Sequence, residues 1–375
     1  MHIKSIHLQN FRNHSDKQVD WAPHINVITG PNGAGKTNLI DGIHYLCMTS
    51  SFVSNSDRYV LQQDAPYFTV KGNFKGNIRS DFSISCSYSY GEGKKIFVNE
   101  SPLDRLSDLI GRVPVVVLSP QDKKLTAEGP KQRRAFIDSL ISQISQSYLQ
   151  DLFDFRKARR QRNKLLKKFR GPREVLIDYL EPWDAQLIQF GSKIVAERAA
   201  VLNQFQKYLA RQYQQISGMP QKPHLEYQTF CEPTTLVEEV EKRYKAKLKE
   251  ERERELEREV TVVGPHRDEI IFYLDNKELR KYGSQGQHRL FALSLKLAQL
   301  YFFTEQLDDQ PIFLLDDVFG DLDQHRTEVL LNALTKHNGQ TFITSATPQI
   351  FKDVIDFDTG RNQQYFVKDG EVTRI

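Results

Sequence analysis

Apolar and polar residues alternate over short runs towards both ends of the chain, and apolar residues recur at helical spacing through its middle. Near the start, Ile3, Ile6 and Leu8 predict an edge strand, and residues 19–28 supply the next. A helix through Leu46 follows a glycine-rich turn. Phe68, Val70, Phe74, Phe82, Ile84, Cys86, Tyr88, Ile96 and Val98 fall largely at period two, with Gly91-Glu92-Gly93 between two of the runs, which predicts an antiparallel meander. The continuous apolar run at 115–118 reads as a buried strand.

From 131 to 213 the spacing is helical, and Pro220, Pro223 and Pro233 interrupt it. A second helical stretch is predicted over 235–259, with Thr235 and Glu238 in the form of a capping box. Its charges suggest a solvated helix, with Glu250/Arg254 and Lys249/Glu253 as opposite-charge neighbours and Glu251/Glu255 as a like-charge pair. Strand patterns return at 260–263 and 270–274. A helix at 286–303, a buried strand at 312–315, a helix at 324–336 and a strand at 340–345 complete the series. Two strand-rich halves thus flank a helical insertion.

Composition narrows the class. A chain of 375 residues, 39% apolar and 27% charged, can bury two or three lobes. No stretch approaches the ~18 apolar residues of a membrane span, and Met1-His2-Ile3-Lys4 leads straight into strand-like sequence, so no signal peptide and no membrane association are expected. Cys47, Cys86 and Cys231 are odd in number and far apart, which argues against a disulfide framework or zinc site and for a reducing cytoplasm. Net charge is only +4, yet ten Lys or Arg residues and no acid lie between Phe155 and Arg173.

The chemistry begins at Gly30-Pro31-Asn32-Gly33-Ala34-Gly35-Lys36-Thr37, set between an apolar strand and a helix. That context makes G-x-x-x-x-G-K-[ST] a phosphate cradle, the Walker A element. Glycines let successive N–H groups face one anion, and the helix N-terminus adds its positive end. Lys36 is the expected holder of the β- and γ-phosphates of ATP, and Thr37 offers a hydroxyl to Mg²⁺. Far along the chain, residues 311–317 form an apolar strand ending in Asp316-Asp317, the form of a Walker B element. Asp316 is placed to orient the Mg²⁺ shell, and Asp317, pointing elsewhere, to polarise the attacking water.

Between them, Tyr282-Gly283-Ser284-Gln285-Gly286-Gln287-His288-Arg289 precedes a helix rich in Leu and Ala. Ser284 there is what helix capping selects in any case. The segment also resembles the signature element of the ATP-binding-cassette superfamily, which faces the γ-phosphate bound by the other protomer. Further motifs run in order: Asn10-Phe11-Arg12-Asn13, Leu118-Ser119-Pro120-Gln121-Asp122, Gly129-Pro130-Lys131-Gln132-Arg133-Arg134, Gln161-Arg162-Asn163-Lys164, Gly264-Pro265-His266-Arg267-Asp268 and Leu315-Asp316-Asp317-Val318. With them the chain resembles the RecF family of bacterial DNA replication and repair proteins from its first strand to Thr344.

The resemblance implies an α/β fold: an ATP-binding-cassette-type phosphate-loop ATPase head with a mixed sheet and an antiparallel meander, and a helical lobe inserted between Walker A and the signature. The head would comprise residues 1–125 and 260–375, and the lobe 126–259. It further implies an ATP-gated homodimer, related to chromosome-maintenance ATPases, that binds double-stranded and gapped or junction DNA. RecO- and RecR-type mediators would join it in loading RecA on single-stranded gaps, in replication, repair and the SOS response, with slow ATP hydrolysis. Lys36, Asp317, Ser284 and Gln287 would be the catalytic set, Thr37 and Asp316 the metal holders, and Gln121 a sensor of metal or water. Here the chain departs from the family pattern at Phe319-Gly320-Asp321-Leu322-Asp323, where Glu-Leu-Asp is common, and in Ser51-Phe52-Val53-Ser54, which lacks an arginine. Thr344 or Thr347 would stand for the switch histidine.

Ten positive charges over about five helical turns cannot share one face. A basic solvated helix is one account of them; a backbone-directed DNA surface is the other. Two further readings stay open. One is the nucleotide-binding subunit of a membrane transporter, although the 280 positions between Lys36 and Asp316 exceed what that arrangement needs. The other is a structural DNA clamp in which turnover serves only release.

Overall fold

The computed structural model describes residues 1–76, 81–352 and 354–375; of Asp321 and Lys352 it describes the backbone only. These residues divide into two compact units, one of Met1–Asp122, Gln214–Met219 and Leu293–Ile375, the other of Lys123–Tyr213 and Pro220–Ala292.

In the first unit, β1 (His2–Phe11) turns through Arg12 and Asn13 into β2 (His14–Asp20), and β3 (Ile25–Thr29) leads to α1 (Lys36–Met48). The predicted strand at 19–28 is therefore two strands in different sheets, broken at Ala22-Pro23, where proline has no N–H to donate. The meander follows as β4 (Tyr67–Lys75), β5 (Phe82–Ser89), β6 (Gly93–Val98) and β7 (Ser101–Pro102), and β8 (Val115–Leu118) follows it. Among the described residues the antiparallel sheet runs β2-β1-β4-β5-β6-β7, so β1 is an interior strand rather than the expected edge. The β1–β2 hairpin covers one flank and β4 pairs with the other. Phe68, Val70 and Phe74 face inward at the predicted period of two.

The second unit opens with α2 (Lys123–Ala127), α3 (Pro130–Ile144), α4 (Gln146–Lys168) and α5 (Arg173–Ser217), the last turn of α5 belonging to the first unit. Ser145 caps α4 by accepting from the Tyr148 N–H at 3.2 Å. Then come β9 (Pro223–Gln228), α6 (Val237–Glu250), α7 (Arg252–Arg258), β10 (Glu269–Leu274), β11 (Lys277–Glu278), α8 (Leu279–Tyr282) and α9 (Gln285–Gln306), whose second half lies in the first unit.

Four expectations fail in this unit. The capping box does not form, because Leu236 stands at the N-cap and its N–H goes to Thr234 Oγ1. The 235–259 stretch is not merely solvated: Val240, Tyr244, Leu248 and Glu255 are buried. Its described ion pairs are Lys247–Glu250, Lys247–Glu251, Arg254–Glu251, Arg173–Glu253, Arg162–Glu255 and Arg252–Asp184, not the expected Glu250/Arg254 and Lys249/Glu253. Residues 260–263 are not a strand, since side chains take their amides: Thr261 N–H donates to Asn163 Oδ1 at 2.8 Å and Val262 N–H to Glu255 Oε1 at 2.8 Å.

Back in the first unit, β12 (Ile312–Asp316), α10 (Gln324–Lys336), β13 (Thr341–Ser345), α11 (Gln349–Lys352), β14 (Gln363–Lys368) and β15 (Glu371–Arg374) complete the fold. The second sheet runs β15-β14-β3-β13-β12-β8, parallel except for β15. Helix α1 packs against β1, β4 and β5 of one sheet and β8, β12 and β13 of the other. Both sides are thus apolar, and Leu39, Ile40, Ile43 and Leu46 are fully buried. Each contributes about 1.5–3 kcal/mol by leaving water.

His337, which ends α10, is buried and donates from Nε2 to Pro311 O at 2.9 Å. Burial pushes its pKa down to about 4. The unfolded imidazole takes up a proton near about 6.5 and the folded one only near 4, so this contribution to stability is full above about 6.5 and drains as pH falls from there. Going from about pH 7 to about pH 5 should cost the unit about 2 kcal/mol through His337. Urea unfolding at the two pH values measures it, and the step should shrink in His337→Gln.

Candidate nucleotide site

The parallel register brings the distant motifs to one edge. Asp316 pairs with Thr344, and Thr344 with Ile28, so the ends of β12, β13 and β3 lie in one row at the C-terminal edge of the sheet. This is where open α/β sheets hold ligands. Lys36 and Asp316, 280 positions apart in sequence, meet here because β13 alone separates β3 from β12.

The loop between β3 and α1 is held tightly. Gly30 has φ 145°, and a Cβ there would meet Val367 O at 2.1 Å. Gly35 has φ 106°, and its Cβ would meet the Asn13 amide at 2.6 Å. No side chain other than glycine's hydrogen fits at either position. Asn13 accepts from Asn38 Nδ2 at 2.6 Å and donates to Ala34 O at 3.4 Å, bracing the loop from the β1–β2 turn. Lys36 is buried and donates from Nζ to Gly30 O and Pro31 O at 2.8 and 2.9 Å. Burial draws its pKa below the ordinary lysine value, against the pull of Asp317 and Asp316. Pro31, Asn32 and Gly33 stand exposed at the crest of the loop, and Ala34 is buried beneath it.

Thr37 Oγ1 donates to Asp316 Oδ1 at 2.7 Å, and Thr344 Oγ1 donates to the same oxygen at 2.8 Å. Burial lifts the Asp316 pKa above the usual carboxylate value, the two hydroxyls oppose that rise, and the charge of Asp317 adds to it. Asp317 is exposed, with φ 49°, and its N–H is held by Thr344 O at 3.2 Å and Thr344 Oγ1 at 3.0 Å. Thr344, named in the sequence as one of two substitutes for a switch residue, therefore clasps both acids. Thr347 instead donates its N–H to Ser345 Oγ.

A hydroxyl and a carboxylate side by side are hard oxygen donors of the kind Mg²⁺ takes alongside phosphate oxygens. The raised pKa of Asp316 is a further sign of fit, because a cation beside it would offset the cost of its buried charge.

The signature segment belongs to the second unit. Ser284 Oγ accepts from the Gln287 N–H at 3.2 Å, and Gln287 Oε1 accepts from the Ser284 N–H at 2.8 Å. This is a reciprocal capping box at the start of α9, so the capping role read from Ser284 is real and engages Gln287 as well. Ser284 and Gly286 are exposed.

Asp41 of α1 is a neighbour that no sequence motif marked. Arg12 donates to Asp41 Oδ2 and to Ser51 Oγ, both at 2.8 Å, and Asp41 also accepts from the Phe52 N–H at 2.9 Å. An acid amid the apolar face of α1 was the available clue, since a buried carboxylate needs partners. Ser51, in the segment lacking arginine, is thus committed internally. Gln121 stands exposed just past β8. Asp323 caps α10 by accepting from the Arg326 N–H at 2.9 Å, while the Asp321 side chain lies outside the described residues.

Residues 2–366 match the model of the RecF/RecN/SMC N terminal domain family. The DNA replication and repair protein RecF of Salinibacter ruber is 40% identical over 99% of this chain and 91% of its own length. That of Chloroherpeton thalassium is 39% identical over 94% and 97%. The chain belongs to the RecF family.

Among solved structures, the recombination mediator RecF with ATP, of the RecFOR pathway, matches at TM-score 0.90 and 29% identity, covering 100% of this chain and 97% of that one. An Smc head domain from Pyrococcus furiosus shares the fold at TM-score 0.58 and 15% identity. The α/β head with mixed and antiparallel sheets is thus the RecF fold, related to SMC heads. No described helix is long and apolar enough to cross a membrane.

Within the RecF-family chain the basic run divides by burial. Arg162 is fully buried and bound to acids. Lys157, Arg160, Lys164, Lys167 and Lys168 are exposed at spacings of three and four, one face of α4 opposite buried Phe155, Ala158 and Leu166. No described ion pair includes any of these five.

Proposed function

We propose that this chain is an ATP-dependent DNA-binding protein of gap repair and replication restart, a clamp whose dimerisation is gated by ATP. The observation that carries the reading is the shared clasp of Thr37 and Thr344 on Asp316, beside a lysine-bearing phosphate loop. The amides from Gly30 to Thr37 would receive the phosphates, with Lys36 on the β- and γ-groups. Thr37 and Asp316 would hold Mg²⁺, which would offset the negative charge of the phosphates. Asp317, held outward by Thr344, would accept the proton of the attacking water.

Ser284 and Gln287 would complete the site of a second copy, with the α9 N-terminus turned to its γ-phosphate. The head would be built from residues 1–125 and 260–375, with the segment 126–259 as the DNA-facing lobe. The exposed stripe of α4 suits duplex, gapped or junction DNA through its phosphates, and RecO- and RecR-type mediators are the expected protein partners. Turnover is expected to be slow, serving release.

Sedimentation with and without ATP and gapped duplex DNA tests the linkage. ATP should convert monomer to dimer and tighten DNA binding. Ser284→Arg should abolish the dimer while leaving ATP binding by the monomer; dimers that persist unchanged would remove Ser284 from the partner's site. A transporter subunit would show no DNA linkage at all.

A further inference from the structure

Arg156 and Arg159, the remaining cations of α4, do not join its outer stripe. They line a cleft of about 310 Å³ together with Lys131 and Arg134 of α3 and with His266. All of these residues belong to the second unit.

The acid available is already in use. Asp138, on the cleft wall, accepts from buried Arg198 at 2.7 Å, and Arg156 reaches it only at 3.5 Å. Arg198 itself is fixed by Asp268, Tyr148 Oη and Pro265 O. Arg134 gives one N–H to Asp268 O at 2.6 Å. Neither Arg134, Arg159 nor Lys131 enters a described ion pair. Burial pulls the Arg159 pKa below the ordinary guanidinium value, and Arg156 and Arg267 pull it further. Burial does the same to Arg134, with Arg198 adding to it. Like charges crowded in a partly dry cleft repel, and Asp268, Glu269 and Asp138 offset this only in part at Arg134. His266 stays neutral beside them, its pKa driven down to about 3 by burial and by Arg159.

We propose that this cleft is a second anion site, separate from the phosphate loop, that takes the phosphate group of a monoester or diester. Two guanidinium forks and an ammonium offer more donors than a carboxylate's two oxygens can use, and they match the several acceptor oxygens of a phosphate. The site rests on its own lining and not on the nucleotide reading. Its ligand is either a small phosphorylated molecule or the backbone of a polynucleotide, and the second case deepens the DNA reading.

The test uses the full chain carrying Lys36→Ala, which silences the loop. Melting in inorganic phosphate is compared with melting in chloride at matched ionic strength. Phosphate should raise the melting temperature by about 2–4 °C, and adding Arg134→Gln with Arg159→Gln should abolish the rise without lowering the melting temperature in chloride. If that pair fails to fold, Lys131→Gln with Arg156→Gln at the exposed rim should reduce the rise instead. In a second arm, duplex DNA affinity is followed against salt. A slope smaller by about 2 in the Arg134/Arg159 variant identifies the polynucleotide backbone; an unchanged slope with a phosphate response identifies a small phosphorylated ligand. Equal melting in phosphate and chloride overturns the site, even if the slope falls, because the cations would then act only as a diffuse field.

Discussion

Arg162→Ala is expected to destabilise the second unit by about 3–5 kcal/mol, because it strands the buried carboxylate of Glu255 and leaves Asp184 with Arg252 as its one remaining described cation. Arg162 is completely buried in the middle of a basic run, where sequence alone offered it to DNA. Its guanidinium donates to Asp184 Oδ1 at 2.6 Å, to Thr261 Oγ1 at 2.9 Å and to Glu255, which is itself fully buried. Burial opposes its charge, yet Asp184 and Glu255 outweigh that and hold its pKa above the usual guanidinium value. The residue therefore ties α4 to α5, α7 and the 260–263 segment. Removing the cation alone leaves Glu255 charged and dry, whereas Arg162→Met with Glu255→Met should recover much of the loss, as replacing a buried pair by apolar groups often does. Chemical denaturation reads both. A loss under about 1 kcal/mol for Arg162→Ala would mean that water reaches the network. Arg160→Glu with Lys164→Glu and Lys168→Glu should do the reverse: little change in stability, and weaker DNA binding with a flatter salt dependence.

That contrast shows where the sequence was readable. Local motifs with their own geometry were legible: the phosphate loop, the period-two meander and the acid-ended strand β12 all follow from spacing that backbone geometry fixes. What spacing does not fix is the pairing of distant positions. Charge counts gave ten equivalent cations, and only burial separated Arg162, which holds the lobe together, from Arg156 and Arg159 in the cleft and from the outer stripe. Residues 260–263 read as a strand because three valines in four have β propensity, but side-chain acceptors claimed their amides before any neighbouring strand could. Ser284 followed its local rule, and its capping box formed. Thr235 and Glu238 fit the same rule, and the helix started one residue later.

Asp317→Asn should slow ATP turnover by about 10²–10⁴-fold while sparing ATP binding. The substitution is chosen on backbone grounds. Asp317 sits at φ 49°, a left-handed conformation that Asp and Asn tolerate and most residues resist, so asparagine keeps the turn while removing the proton acceptor. Alanine would add strain and confuse the result. The N–H stays anchored on Thr344 in either case, so the neighbouring Asp316 should keep its contacts with Thr37 and Thr344. ATP binding and dimerisation should then survive, and the dimer should outlive that of the parent chain, since release depends on turnover. Asp316→Asn is the matching control: it should weaken ATP binding in the presence of Mg²⁺ far more than in its absence. Single-turnover hydrolysis and equilibrium ATP binding, measured on both variants, separate the roles. If Asp317→Asn hydrolyses ATP at the parental rate, the water is activated elsewhere; the exposed Gln121, which follows β8 on the far side of β12, is then the next residue to replace.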